Sequence, residues 1–94
     1  GVLTKVDQNE INYIEAKGDY VLIRTSLQNH VVYSSLKKVF EKLDQVNFQQ
    51  IHRSFIVNLN AIDSINEASL TIDRKELPVS RTYRTELLKR LNTL

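Results

Sequence analysis

The sequence predicts a mainly β domain, an antiparallel, meander-like arrangement of short strands with two short helices. Three observations carry that expectation. Short runs rich in Val, Ile, Leu and Tyr recur through the first 35 residues, broken by polar stretches and by Gly18. Leu36, Val39, Phe40 and Leu43 then fall at i, i+3, i+4 and i+7, the spacing of one helix face. A closing stripe of Tyr83, Leu87, Leu91 and Leu94, with Leu88 beside it, repeats that spacing.

In chain order, Val2 to Val6 reads as a strand, followed by a polar turn at Asp7-Gln8-Asn9. Ile11 to Ala16 reads as a second strand, Lys17-Gly18-Asp19 as a turn, and Tyr20 to Thr25 as a third strand. Ser26 to Asn29 links this to the run His30 to Tyr33. Ser34-Ser35 caps the first helix, which ends near Asp44-Gln45 and turns Lys37, Lys38, Glu41 and Lys42 to solvent. Further on come Ile62 to Asn66, a turn at Glu67-Ala68, Leu70 to Ile72, a turn at Asp73-Arg74-Lys75, and Glu76 to Val79. Pro78 cannot donate to a ladder, so it requires an edge strand or a strand end. Ser80 stands where it can cap the closing helix.

The stretch Gln49 to Ile62 breaks its own pattern. A strand from Ile51 would align Arg53 with Ile51, Phe55, Val57 and Leu59, and an unpaired buried guanidinium is very costly. The expectation is a buried anchor from Phe55 to Leu59, with His52-Arg53 lifted beside it at a local break. An Arg snorkelling at a strand end is the alternative.

Ninety-four residues make one domain, with no cysteine and no run of ~18 apolar residues. The chain reads as soluble and suited to a reducing cytoplasm, with no membrane partner. Its abrupt start at Gly1 suggests one domain of a longer protein. The net charge is +2, and residues 81–94 carry more than that excess, with Arg81, Arg84, Lys89 and Arg90 against Glu86 alone. That asymmetry suggests a local anion-facing end.

Enzyme readings fail on the residues. His30 and His52 lack the companions of a metal site, and Gly1 and Gly18 cannot build a phosphate loop. Nothing supplies an activated nucleophile with an oxyanion hole, so neither catalysis nor a cofactor is expected. The closing helix is more informative. Arg81 and Arg84 share one face of its first turn, where positive charge opposes the helix dipole by ~0.3–1 kcal/mol per residue. Beside the free amides of a helix start they make an anion site; the plainer reading is two solvated arginines. The Lys17-Gly18-Asp19-Tyr20 turn offers a cation and an aromatic, as an ordinary hairpin also would.

Three pieces, in this order and spacing, resemble the LytTR DNA-binding domain of bacterial response regulators. They are Ile14-Glu15-Ala16-Lys17-Gly18-Asp19-Tyr20-Val21, Phe48-Gln49-Gln50-Ile51-His52-Arg53-Ser54-Phe55-Ile56-Val57-Asn58, and Leu77-Pro78-Val79-Ser80-Arg81-Thr82-Tyr83. The helix from Ser35 to Leu43 resembles the family's first helix, and the likeness spans residues 2–92. It implies an elongated, mostly antiparallel, β-sandwich-like fold whose loops, rather than a recognition helix, enter DNA grooves. Carried over by position, the DNA contacts are Lys17 and Tyr20 in the first loop, Arg53, and Arg81 with Thr82 and Arg84. The likeness also implies double-stranded promoter DNA with paired direct repeats, a possible dimer on that DNA, and an upstream receiver domain in a two-component response regulator. Against the family pattern, the opening strand is expected to be missing or cut short before Val2, and the usual glycine is absent at Glu67-Ala68 and at Asp73-Arg74-Lys75.

The leading reading is therefore sequence-specific duplex DNA binding in transcription regulation. Arg81 and Arg53 would read guanine edges, and Lys17, Arg84 and Thr82 would hold phosphates. The alternative is a basic protein-interaction module that offers its Pro78 edge strand or basic face to an acidic partner. A single-stranded RNA binder is disfavoured, because Tyr20 is the one obvious stacking aromatic.

Overall fold

Strands form where the sequence runs apolar between polar pairs, and two sheets result. The structure, a computed structural model, describes residues 5–91. The first sheet holds β1 (Ile11–Lys17), β2 (Tyr20–Thr25), β3 (Asn29–Val32), β4 (Phe48–His52) and β5 (Phe55–Asn58), in the order β3-β2-β1-β5-β4. The second holds β6 (Ser64–Ile65), β7 (Ser69–Ile72) and β8 (Lys75–Pro78) in sequence order. All pairings are antiparallel. Helix α1 (Leu36–Lys42) joins β3 to β4, and α2 (Arg81–Leu91) closes the described chain. The fold is mainly β, antiparallel and elongated, with extents of 45 × 23 × 22 Å.

The larger sheet is covered on both faces. Ile11, Ile14, Val21, Ile23, Phe48 and Ile56 pack with Leu36 and Leu43 of the α1 region. Tyr13, Ile51 and Val57 pack with Leu70, Ile72 and Leu77 of the second sheet and Leu87 of α2. A strand buried on both faces loses alternation, which is why Ile56-Val57 reads as a continuous apolar run. Two bulges adjust the assignment of residues to faces. The register slips between Ile11 and Tyr13 in β1 and between Gln50 and His52 in β4. Each puts an extra residue on one strand, so that Ile11 and Tyr13 serve opposite clusters.

The central stretch differs from its expectation in an instructive way. Ile51 to Leu59 is not one broken strand but a hairpin, with Arg53 and Ser54 between β4 and β5. Arg53 is exposed at its tip, so the burial problem never arises. Phe55 is only half-buried; the anchor is Ile56, Val57 and Asn58. Asn58 tolerates burial because its side-chain amide donates to the Ile11 carbonyl at 3.0 Å and its Oδ1 accepts from the Asn60 amide at 2.9 Å. Leu59 leaves the strand for a 3-10 turn, Leu59–Ala61.

Other boundaries move too. Val2 to Thr4 and Leu94 lie outside the described residues, and Lys5 and Val6 are not in a strand. The turn at Asp7 is a 3-10 turn, Gln8–Glu10, capped by the Asp7 carboxylate. Ser35 caps α1, its hydroxyl accepting from the Lys38 amide at 3.1 Å. The helix stops at Lys42, short of Asp44, because Leu43 is extended and the Gln45 side chain donates to the Phe40 and Leu43 carbonyls. Only Ser64–Ile65 of the run Ile62 to Asn66 pairs as strand. Pro78 does sit on an edge strand. Asp73 and Arg74 adopt φ of 48° and 68°, so this tight hairpin holds two non-glycine residues in the left-handed region.

Candidate nucleic-acid interface

Two backbone hydrogen bonds bring three distant segments to one end of the larger sheet. The Ala16 amide donates to the Ser54 carbonyl at 2.8 Å, tying the β1–β2 hairpin to the β4–β5 hairpin. The Ser80 amide donates to the Ile51 carbonyl at 2.8 Å, tying the start of α2 to the same β4–β5 hairpin. Lys17 and Tyr20, Arg53, and Arg81 with Thr82 thus share this end.

Each segment has its own local geometry. Gly18 takes φ of +74°, at the first central position of a two-residue turn between paired Lys17 and Tyr20. Lys17 Nζ lies 3.3 Å from Glu15 Oε2, a pair with an exposed lysine and a half-buried carboxylate that contributes little to stability and leaves the ammonium able to exchange partners. The Tyr20 ring stands 5.8 Å from that of Tyr33 in a tilted pair, and Tyr33 is 80% exposed. The Arg53 tip is stiffened from beneath, because His52 Nδ1 accepts from the Ser54 amide at 3.0 Å and Gln50 donates to the His52 carbonyl at 3.1 Å.

The first turn of α2 follows the sequence expectation in part. Ser80 precedes the helix, but it is the Ser80 carbonyl that takes the Tyr83 and Arg84 amides, at 3.0 and 3.1 Å. Arg81 and Thr82 are exposed, and among the described residues neither amide meets an acceptor. Free amides and an arginine at a helix start favour an anion. Arg84 differs from its neighbours: it is half-buried and donates through Nη1 to the Asn66 carbonyl at 2.8 Å. It braces the β6–β7 turn against α2, and its remaining donors meet no acceptor among the described residues.

The charge argument needs one correction. The basic excess of residues 81–94 does not gather at one anion-facing end. Arg90, on the last turn of α2, donates to the Phe48 carbonyl at 2.9 Å, Gln49 Oε1 at 2.8 Å, the Gln45 carbonyl at 2.7 Å and the Val46 carbonyl. It is a structural clamp that closes α2 onto β4. Sequence reasoning also missed Tyr33. Its position just after an apolar run made it look like strand, whereas it lies beyond the end of β3, against Tyr20.

The chain matches the family model described as the LytTr DNA-binding domain over residues 1–92. It is 36% identical over 92 residues to the sensory transduction protein LytT of Bacillus cereus, covering 92% of this chain and 37% of that one. It is 34% identical over 93 residues to LytT of Bacillus subtilis, covering 93% and 39%. The transcriptional regulatory protein YpdB of Escherichia coli is 37% identical over 57 residues, covering 61% and 23%. The chain therefore spans less than two-fifths of the length of these curated relatives. Among solved structures, the LytTr DNA-binding domain of a putative methyl-accepting/DNA response regulator from Bacillus cereus superposes with a TM-score of 0.83 at 29% identity, covering 94% of this chain and 86% of that one. With an antiparallel two-sheet fold, an exposed end of loops and a family match along nearly its whole length, the chain belongs to the LytTR DNA-binding domain family.

Proposed function

We propose that this domain binds double-stranded promoter DNA in a sequence-specific manner, as the output domain of a bacterial transcriptional response regulator. The observation that carries the reading is the convergence of the Lys17–Tyr20 turn, the Arg53 tip and the Arg81-Thr82 helix start on one end. None of these presents a helix side to the duplex; each presents a loop or a helix terminus, which enters a groove end-on. Arg81 and Arg53 read base edges, and guanine suits them, since its O6 and N7 accept both donors of one guanidinium. Lys17, Thr82 and the free donors of Arg84 hold phosphates and fix the register, with Tyr20 packing against the sugar–phosphate wall. In the parent protein a receiver domain precedes this one, and two copies occupy paired direct repeats in the promoter.

The edge-strand alternative has less support at Pro78. The β8 edge is four residues long, and its proline lacks a donor. Selection of bound sites from random duplex DNA tests the reading. A recurring motif containing guanine, repeated in the same orientation, is the expected outcome. Recovery of unenriched sequence would defeat it.

A further inference from the structure

The larger sheet has two outer strands, and among the described residues only one is closed. Helix α2 covers β4, through Arg90 on the Phe48 carbonyl and the Ser80 amide on the Ile51 carbonyl. β3, by contrast, pairs only with β2 among the described residues. Proteins ordinarily blunt such an edge with lysine, proline or a charge pointing inward. The edge β8 follows that habit with Lys75 and Pro78. β3 reads Asn29-His30-Val31-Val32 and has no such device, although Val31 is 53% exposed.

Beside this edge runs a groove of about 380 Å³ between β3 and α1. Ile23, Val39 and Leu43 line it, Val32 forms its wall, and Lys38 and Lys42 stand over it. Among the described residues, no carboxylate lines the groove and neither lysine lies in an ion pair.

We propose that the β3 edge and this groove dock an extended acidic segment of a partner protein. The segment adds as a sixth strand beside β3, sets alternate apolar side chains into the groove, and places its carboxylates against Lys38 and Lys42. This goes beyond DNA binding: a phosphate backbone supplies neither apolar side chains for the groove nor a strand ladder for the edge. A second copy of the chain fits less well, because the stretch Asn29 to Tyr33 carries no carboxylate to meet the lysines.

The test uses the isotope-labelled domain and two synthetic peptides, one alternating Glu with Val and Thr, the other with Lys in place of Glu. The acidic peptide is expected to shift the amide resonances of Asn29 to Tyr33 and α1, and to slow exchange of the β3 amides that do not face β2. Lys38→Glu with Lys42→Glu should weaken that binding by about tenfold, the change that two exposed ion pairs supply. The unfolding midpoint should stay unchanged, and Val31→Lys should abolish the slowed exchange. The proposal is overturned if the outer β3 amides are already protected in the free domain, or if both peptides bind equally. It is overturned too if the shifts fall around Arg81, or if sedimentation finds a dimer that Val31→Lys dissolves, since the edge then belongs to a second copy.

Discussion

At the scale of single residues, burial separates neighbours that look alike in the sequence. Phe55 and Ile56 are adjacent and both apolar, yet Ile56 is fully buried and Phe55 only half-buried. Phe55 packs its ring 6.2 Å from Tyr13 and 5.7 Å from His52. Phe55→Ala should therefore cost about 1–3 kcal/mol, below the usual loss for a core phenylalanine, and Ile56→Ala about 2–5 kcal/mol. Urea unfolding of the two variants checks the order; an equal or reversed order would mean the faces are misassigned. Tyr13 offers a pH test. Burial, opposed by the Arg24 guanidinium 5.9 Å over its ring, raises its phenol above the ordinary 10.0. A raised folded value means that its contribution is complete below pH 10.0 and is lost as the pH climbs toward the folded value. Stability at alkaline pH should thus fall less steeply in Tyr13→Phe than in the parent, by denaturation at pH 9 and about pH 11. Equal slopes would mean that the phenol is not desolvated.

At the scale of elements, the tight hairpins hold the most telling departures from what a sequence suggests. The β1–β2 turn has its glycine where a positive φ is needed, and was legible for that reason. The β7–β8 turn achieves its shape with Asp73 and Arg74 instead, helped by the Asp73 amide donating to Asp63 Oδ2 at 2.9 Å. Left-handed backbone costs a residue with a Cβ about 1–2 kcal/mol, and glycine gives part of that back in chain entropy. Arg74→Gly should raise stability by about 0.5–1 kcal/mol, read as a higher urea midpoint with an unchanged slope. A lower midpoint would mean that the Arg74 side chain makes contacts worth more than the strain. Helix stripes were legible for the opposite reason: their 3.6-residue period needs no special backbone, and Leu36 and Leu87 are buried as that spacing required. Strand faces were harder. Ile11 and Tyr13 obey a period of two until a bulge sends them to opposite clusters, and no residue type announces a bulge.

At the scale of the molecule, the sheet topology gathers the candidate DNA-contacting residues. Lys17, Arg53 and Arg81 are tens of positions apart, and composition alone placed the basic excess in the last segment rather than at a shared end. The resemblance to the family named these residues, and the hydrogen bonds from Ala16 to Ser54 and from Ser80 to Ile51 explain why they meet. The sequence set Arg81 apart from Arg84 by role, but it gave no sign that Arg84 is partly occupied by the Asn66 carbonyl or that Arg90 clamps β4. That distinction gives the most direct test: fluorescence anisotropy on cognate and scrambled duplexes across a salt series. Arg81→Ala should lose about 1–3 kcal/mol on the cognate site, relax preference at one base position, and change scrambled binding less. Arg84→Ala should weaken both duplexes alike and make the slope of log K against log salt shallower by about one unit. Unchanged cognate affinity in Arg81→Ala would contradict the account, because the one exposed arginine at the helix start would then read nothing.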